Sequence, residues 1–180
     1  MSISTKTGDD GTSGLLFNRR APKNDIHFEA VGTVDELNAA LGLVRAAAGP
    51  GRLHDQILRI QNELVLLMGE LVLLEDDRSR YEQARGKSIA AEATDRLTAL
   101  VHEAESRISL EDWVMPGNTP VGAALDFART ICRRAERRIL ALKEHQRGLN
   151  PELVCFFNRL SDLCFVWARD QEQNPPASAS

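Results

Sequence analysis

The amino-acid sequence predicts an all-α fold, a five-helix up-and-down bundle with short connections. Apolar residues recur at helical spacing in five separate segments, and glycine and proline residues stand between those segments. No segment alternates apolar and polar residues convincingly enough to predict a strand. A chain of 180 residues, 43% of them apolar, is long enough to bury one substantial core.

The composition divides the chain into three parts. Residues 1–30 are polar and irregular, residues 31–170 carry the helical patterns, and residues 171–180 form a tail rich in proline, alanine and serine. We expect the tail to be disordered, because its few apolar residues cannot repay the loss of chain entropy.

The first two helices come directly after the irregular N-terminal part. Thr33 and Glu36 match a capping box, so the first helix is expected to start near Thr33 and to end before the Gly49–Gly51 break. The second helix is expected over about Leu53–Leu74, where leucine and isoleucine repeat in a/d spacing typical of bundles. A charged connection, residues 75–87, follows it.

Three further helices complete the predicted bundle. The third covers about residues 89–106 and has only a narrow apolar stripe. The fourth covers about 120–143, with Thr119 as its cap and a proline at its first position. The fifth covers about 150–169 and is apolar on more than one side, which indicates a central position or a subunit interface. We therefore expect an oligomer.

Charge and cysteine usage limit the classes of function. The net charge of −4 argues against a broad nucleic-acid surface, and the longest apolar runs are too short to cross a membrane. The three cysteines form no C-x-x-C pair, and no signal peptide is recognisable. Reduced thiols and a cytoplasmic location are therefore expected.

A glycine-containing stretch, Lys6–Thr12, is the first candidate for a binding site. Its lysine, hydroxyls and backbone N–H groups could face an anion, although its spacing is not that of a Walker A loop. The alternative is a solvated turn, which is common for such composition. Arg19, Arg20 and Lys23 follow closely and form either a solubilising basic segment or a phosphate clamp.

The fourth helix carries the second candidate. Arg129, Arg133 and Glu136 fall within about 60° of one another on a helix and flank its apolar stripe, where charges need partners. Arginine suits phosphate because its guanidinium matches the oxygens bidentately. The alternative is a helix covered with Glu/Arg ion pairs, and we expect the outward-pointing Arg134 and Arg138 to follow it.

Three residues on other segments could complete such a site. Asp35 is a candidate partner for one of these arginines, although a carboxylate in the first turn of a helix needs no function. Asn158 could bind a nucleotide base or ribose, or it could be an interface amide. Trp113 could be a core residue or the wall of a site for a flat ligand.

Four segments of this sequence together resemble the signature segments of the PduO-type ATP:cob(I)alamin adenosyltransferases. They are Thr5–Thr12, Glu29–Asn38, Arg129–Arg137 and Phe157–Asp162, in the family's order and at similar separations. The similarity covers about residues 4–169. Any one segment would be weak, but four matching segments are specific.

The resemblance implies a homotrimer with active sites between subunits. The implied reaction transfers the 5′-deoxyadenosyl group of ATP to the cobalt of reduced cob(I)alamin, which forms adenosylcobalamin and releases triphosphate. Mg²⁺ is expected on the ATP phosphates, and the N-terminal loop is expected to order over the nucleotide. A cobalamin reductase and a B12-dependent acceptor enzyme are further partners that the resemblance suggests.

The resemblance also assigns roles to individual residues. It implies that Arg129, Arg133 and Asp35 are catalytic, with Arg129 and Asp35 paired across the interface. Trp113 matches a cobalamin-binding aromatic that displaces the lower axial cobalt ligand and is typically phenylalanine in the family. The implied ATP-binding residues are Lys6, Thr7, Gly8, Gly11, Thr12, Lys23, Arg133, Glu136 and Asn158.

The sequence departs from the family pattern in two loops. Phe17 and Asn18 stand where the family usually has glycines, and Asn118 follows Pro116 and Gly117 where the family usually has a second glycine. An alternative function is therefore a non-catalytic helical protein that binds ATP and a corrinoid and either delivers cobalamin or senses nucleotide.

Overall fold

Helices dominate the computed structural model, which describes residues 4, 6–85, 88–110, 113–146 and 148–175. The prediction of a helical fold is confirmed, but the count of five is wrong, because six α-helices lie within these residues. They are α1 (Ile26–Ala48), α2 (Arg52–Leu71), α3 (Arg78–Arg85), α4 (Ala91–Glu105), α5 (Pro120–His145) and α6 (Glu152–Gln173). None of the helices within the described residues combines the length and the apolar character that a membrane span requires.

The extra helix, α3, occupies the segment that was predicted as a charged connection. Its sequence has no apolar stripe, and Tyr81 is its one buried apolar anchor among the residues whose burial is described. A helix of eight residues with a single anchor gives no helical period to detect.

A two-stranded antiparallel hairpin precedes the helices, so the expectation of no strand was wrong. Its strands are β1 (Thr12–Gly14) and β2 (Arg20–Pro22), with Thr12 opposite Pro22. Strands of three residues are too short to show an alternating pattern. Between them the chain turns through Phe17 and Asn18, whose φ angles of 56° and 61° lie in the left-handed region.

The first helix begins at Ile26, one residue after its cap, Asp25, and seven residues before the predicted start. Thr33 lies inside α1, where its hydroxyl donates to the Glu29 carbonyl at 2.7 Å rather than capping the helix. The apolar stripe continues towards the N-terminus through Ala30, which is fully buried. The match to a capping box was therefore coincidental.

Other helix ends differ from the prediction by a few residues. α2 stops at Leu71, and the buried side chain beyond it is Leu73 rather than Leu74. α6 continues to Gln173, whose side chain bonds the backbone of Ser109, so residues 171–173 belong to the helix. Residues 176–180 of the predicted tail lie outside the described residues. The predicted cap Thr119 is confirmed, because its Oγ1 accepts from Gly122 N at 3.0 Å.

The helices pack side by side around one core. α1 packs on α2 and α5, and α6 packs on α5 and α4. Ion pairs of Glu36 with Arg134 and of Glu29 with Arg138 show that α1 and α5 run antiparallel. The centre is filled by leucine, isoleucine, alanine and phenylalanine side chains, among them Leu37, Leu41, Ile60, Leu64, Leu125, Ile139, Phe156, Phe157 and Leu160.

Candidate active site

Hydrogen bonds from Arg20 organise the glycine loop, residues 6–12. Its Nη2 donates to the Thr7 carbonyl and to Thr12 Oγ1, each at 2.6 Å, and its Nε donates to Thr12 Oγ1 at 3.0 Å. The carboxylate of Asp10 accepts from Thr12 N at 2.9 Å and from Thr12 Oγ1 at 2.8 Å. The backbone bond from Thr12 is the main reason that the pKa of Asp10 lies below its usual value. The loop thus has a defined shape without apolar anchors.

Lys23 brings a second positive charge to this loop. A Cβ atom on Gly8 would lie only 3.2 Å from Lys23 Nζ, and Lys23 N donates to the Gly11 carbonyl at 2.9 Å. Gly11 itself has a φ of +80°, which glycine adopts without strain. Of the three predicted basic residues, Arg20 and Lys23 therefore lie at the loop, whereas Arg19 does not.

Arg19 instead attaches the hairpin to the bundle. Its Nε lies 2.9 Å from Asp77 Oδ2, and this bond is the main reason that the pKa of Asp77 is lowered. The Arg80 guanidinium lies 4.3 Å from the centre of the Phe17 ring, and Leu16 N donates to the Val72 carbonyl. The hairpin is thus held at its turn, while most of the glycine loop at its open end is exposed.

The predicted residues of α5 and α6 lie along one groove, which we call the α5–α6 groove. It consists of three adjoining hollows of about 440, 340 and 230 Å³. Glu136 and Asn158 line the first hollow, Arg129 and Arg133 line the second, and Trp113 lines the third.

Shared residues join the three hollows into one surface. Arg159 lines both the first and the second hollow. Leu110, Arg129 and Phe165 line both the second and the third. Asn158 Nδ2 donates to Glu136 Oε1 at 3.4 Å, so those two predicted ATP ligands are already in contact. The groove therefore changes along its length from polar, through arginine-lined, to largely apolar.

Trp113 is not a core residue, because 92% of its surface is exposed. It stands in the segment before α5, together with the apolar Val114 and Pro116, at the wall of the third hollow. Of the two interpretations that the sequence left open, the structure therefore excludes burial in the core.

Arg129 has a partner within its own chain that was not predicted from the sequence. Its Nε donates to Asp126 Oδ1 at 3.2 Å. Asp126 also accepts from Arg169 Nη2 at 2.5 Å. Asp35, the predicted partner, is exposed on α1, and the described residues of this chain offer it no ion pair. Because that pair was expected between two subunits, it stays a prediction.

In the part of the chain that the structure describes, no residue of the glycine loop lines the α5–α6 groove. Arg134 and Arg138 bond to α1, as expected for residues in ordinary ion pairs. Glu136 is about 200° around the helix from Arg134, on the side away from α1. Neither Lys6 nor Lys23 is among the described residues that line the hollows of Arg133, Glu136 and Asn158. The predicted ATP ligands thus form two separate groups.

Some residues of the groove were missed by sequence reasoning. Arg159 lies in the segment Phe157–Asp162, next to Asn158, but the family resemblance implies no role for it. The signal for Asp126 was a carboxylate adjoining the apolar stripe at Leu125 and Ala128. No sequence signal singled out Arg169, whose side chain is almost fully buried.

The cysteines differ sharply in their environment. Burial raises the pKa of Cys132 well above its usual value and that of Cys164 to about 12. Cys132 Sγ also donates to the Phe157 carbonyl at 3.2 Å. Cys155 is exposed and lines the first hollow beside Asn158. One solvent-exposed thiol therefore lies next to the predicted nucleotide ligands.

Comparison with known proteins yields a consistent set of relatives. A family model described as cobalamin adenosyltransferase matches residues 3–171. The corrinoid adenosyltransferase PduO of Salmonella typhimurium is 34% identical over 175 residues, which are 97% of this chain. The corrinoid adenosyltransferase of Mycobacterium tuberculosis is 35% identical over 170 residues, 93% of this chain and 86% of that protein. The chain spans 51% of the length of the Salmonella relative.

Solved structures agree in fold. A variant of a PduO-type ATP:corrinoid adenosyltransferase from Lactobacillus reuteri, complexed with cobalamin and ATP, matches with a TM-score of 0.86 and 31% identity. That match covers 95% of this chain and 93% of the other. A second variant, complexed with ATP, matches with a TM-score of 0.82 and 29% identity over 94% of each chain.

Proposed function

Because this chain belongs to the cobalamin adenosyltransferase family, we propose that it transfers the 5′-deoxyadenosyl group of ATP to the cobalt of reduced cob(I)alamin. The products are adenosylcobalamin and triphosphate. The observation that carries this proposal is the α5–α6 groove, in which an arginine-lined hollow adjoins a largely apolar hollow beside Trp113. A polyanion and a large, flat, mostly apolar ligand would thereby be held side by side.

The reaction requires that the protein bind both substrates and stabilise charge, and it does not require a protein nucleophile. The reduced cobalt of the substrate attacks the 5′ carbon of ATP, the new Co–C bond forms, and the C–O bond to triphosphate breaks. Arg129 and Arg133 would stabilise the negative charge on the leaving triphosphate. Glu136 and Asn158 would bind the nucleoside and orient it. Trp113 would pack against the corrinoid and displace the lower axial ligand of its cobalt.

Mg²⁺ would sit on the ATP phosphates rather than in a protein cage. Among the described residues, no three His, Cys, Asp or Glu side chains are close enough together to hold a metal ion. Mg²⁺ commonly takes its ligands from substrate phosphates and water. When bound there, it would neutralise phosphate charge together with the arginines.

The separation of the two predicted groups supports an active site between subunits. The glycine loop, Lys23 and Asp35 would come from one chain, and the α5–α6 groove from its neighbour. Asp35 is exposed on α1 and could then pair with Arg129 of the next subunit. A homotrimer would build three such sites.

A direct assay tests the proposed function. The protein is mixed with ATP, Mg²⁺ and chemically reduced cobalamin, and the Co–C product is followed by its absorbance. We expect adenosylcobalamin and triphosphate in equal amounts. Tight binding of ATP and cobalamin without product would contradict the enzyme and support a protein that delivers cobalamin.

A further inference from the structure

A cluster of four charged side chains lies beneath the third hollow of the α5–α6 groove. Arg169, Asp126 and Glu172 have side chains only 1%, 4% and 6% exposed, and Arg129 completes the cluster at 28%. The cluster holds two positive and two negative charges, so its members neutralise one another. Ionised groups in such a position need these partners, because burial removes their hydration.

Asp126 is shared between the two arginines. Its Oδ2 accepts from Arg169 Nη2 at 2.5 Å, and its Oδ1 accepts from Arg129 Nε at 3.2 Å. A lone carboxylate and arginine would favour a bidentate pair with two parallel bonds. Here Arg169 bonds to one carboxylate oxygen, and Arg129 bonds to the other through Nε. Among the described residues, neither of its terminal nitrogens has a partner, and the residue lines the groove.

Arg169 is itself fixed from three sides. Its Nε donates to Glu172 Oε2 at 2.8 Å, and its guanidinium lies 5.2 Å from the centre of the Phe165 ring. Glu172 packs against α5 at Gly122, where a Cβ atom would lie 3.0 Å from Glu172 Oε1 and 3.2 Å from its Cγ. The last turn of α6 can approach α5 so closely because residue 122 has no side chain.

We propose that Asp126 and Arg169 are positioning residues that aim the terminal nitrogens of Arg129 into the α5–α6 groove. This rests on the proposed function, because it takes the triphosphate of ATP, or Asp35 of a neighbouring subunit, as the group that those nitrogens meet. Asp126 and Arg169 also line the hollow beside Trp113. A ligand that fills that hollow would therefore contact Asp126 and Arg169, the residues that orient Arg129.

A double-mutant cycle tests the positioning role. Asp126→Asn keeps the shape of the side chain but removes the charge that holds Arg129. We expect kcat/KM for ATP to fall at least about tenfold in the wild-type background, and less than about twofold further in an Arg129→Ala background. Arg169→Lys keeps the positive charge but cannot bond to Asp126 and Glu172 at the same time. We expect a smaller loss of kcat/KM for this variant, and no loss in the Arg129→Ala background.

A matched control separates positioning from general stability. Glu63 pairs with Arg96 at 2.5 Å between α2 and α4, away from the groove. Glu63→Gln should lower the thermal unfolding midpoint without changing kcat/KM of the folded protein. If Asp126→Asn behaves like Glu63→Gln, or if its effect multiplies with that of Arg129→Ala, the positioning role is refuted.

Binding of tripolyphosphate, measured by calorimetry, keeps this test independent of the proposed reaction. Asp126→Asn should weaken the binding in the wild-type background and leave it unchanged in the Arg129→Ala background. A wild-type protein that makes no adenosylcobalamin would refute the proposed function, while this cycle would still decide the positioning role. If Asp126→Asn weakens tripolyphosphate binding equally in both backgrounds, the positioning role is refuted.

Discussion

Arg133 and Arg134 are neighbours in sequence but have different surroundings on α5. Arg133 lines the second hollow of the α5–α6 groove, with Asp162 and Phe165 of α6. Arg134 bonds to Glu36 of α1 in an exposed ion pair. The same residue type therefore has a candidate catalytic position at one site and an ordinary surface position at the next.

This pair allows a matched prediction at the scale of single residues. Arg133→Ala should lower kcat/KM by the equivalent of at least about 2 kcal/mol, the cost of losing a charge-assisted contact in a closed site. Arg134→Ala should leave kcat/KM unchanged and cost at most about 1 kcal/mol of stability, as exposed ion pairs do. Steady-state kinetics of both variants decide the matter, and equal kcat/KM values for them would refute the role of Arg133.

Asp77 should account for part of the loss of folding stability at acidic pH. The hydrogen bond from Arg19 lowers the pKa of Asp77 below the ordinary value of 3.8. A carboxylate whose pKa is lower in the folded state stabilises the protein above the unfolded value, and this contribution is lost as pH falls through the folded value. Asp77→Asn should therefore unfold at a lower temperature than wild type at pH 6, with the gap closing below about pH 4.

The control for this prediction is the adjacent Asp76→Asn, whose side chain is exposed. It should change the unfolding temperature little at any pH. A gap between wild type and Asp77→Asn that stays constant from pH 6 to pH 3 would show that the ion pair is not its cause.

At the scale of elements, one residue of the hairpin turn has a backbone conformation that lowers stability and that a glycine would adopt without strain. Asn18 has a φ of 61°, a left-handed conformation that costs ordinary residues roughly 1–2 kcal/mol, and asparagine less. Asn18→Gly should therefore stabilise the protein by about 0.5 kcal/mol, after allowing for the greater freedom of glycine in the unfolded chain. Denaturant unfolding measures the difference, and a destabilised variant would show that the Asn18 side chain contributes more than its backbone costs.

The glycine loop should respond to nucleotide as a unit. Hydrogen bonds from Arg20 and Asp10 shape it, but its residues are largely exposed and no apolar side chain anchors it. Amide exchange at Gly8–Gly11 should therefore be fast without ATP and slower with ATP, while the amides of the buried part of α5 stay protected in both states. Equal protection of Gly8–Gly11 in the two states would refute closure over the nucleotide.

Elements with a long apolar stripe were predictable, and short ones were not. α5 was placed almost to the residue because Thr119 and a proline mark its start and its stripe continues to Leu142. α3 and the hairpin have too few residues to show a period. The start of α1 was misplaced because Thr33 and Glu36 imitate a cap inside a helix whose stripe begins earlier.

At the scale of the whole molecule, the chain has its predicted ATP ligands on two separated surfaces. Sequence motifs predicted which residues would form the site, but they could not show that Arg129 bonds to Asp126, which Arg169 also contacts. That knowledge depends on how closely α6 approaches α5 at Gly122, which no local pattern records. The candidate site residues could thus be proposed from the sequence, and the hydrogen bonds that join Arg129, Asp126 and Arg169 could not.

The predicted pairing of Asp35 with Arg129 of a neighbour links assembly to activity. Asp35→Asn should weaken trimer formation or lower kcat/KM, because the arginine would lose its partner in the interface. Sedimentation velocity and steady-state kinetics measure the two effects. Ala39→Asn, one turn further along α1 and also exposed, is the control. Normal assembly and normal activity of Asp35→Asn would show that the pair is incidental.

The contrast among the three cysteines has a practical consequence. Cys132 and Cys164 are buried with raised pKa values, whereas Cys155 is open to solvent at the wall of the first hollow. A maleimide dye at neutral pH should attach at one place in the native chain, with no need to replace any cysteine. The fluorescence of that dye would then report, in real time and without a coupled assay, when the neighbouring hollow fills and empties.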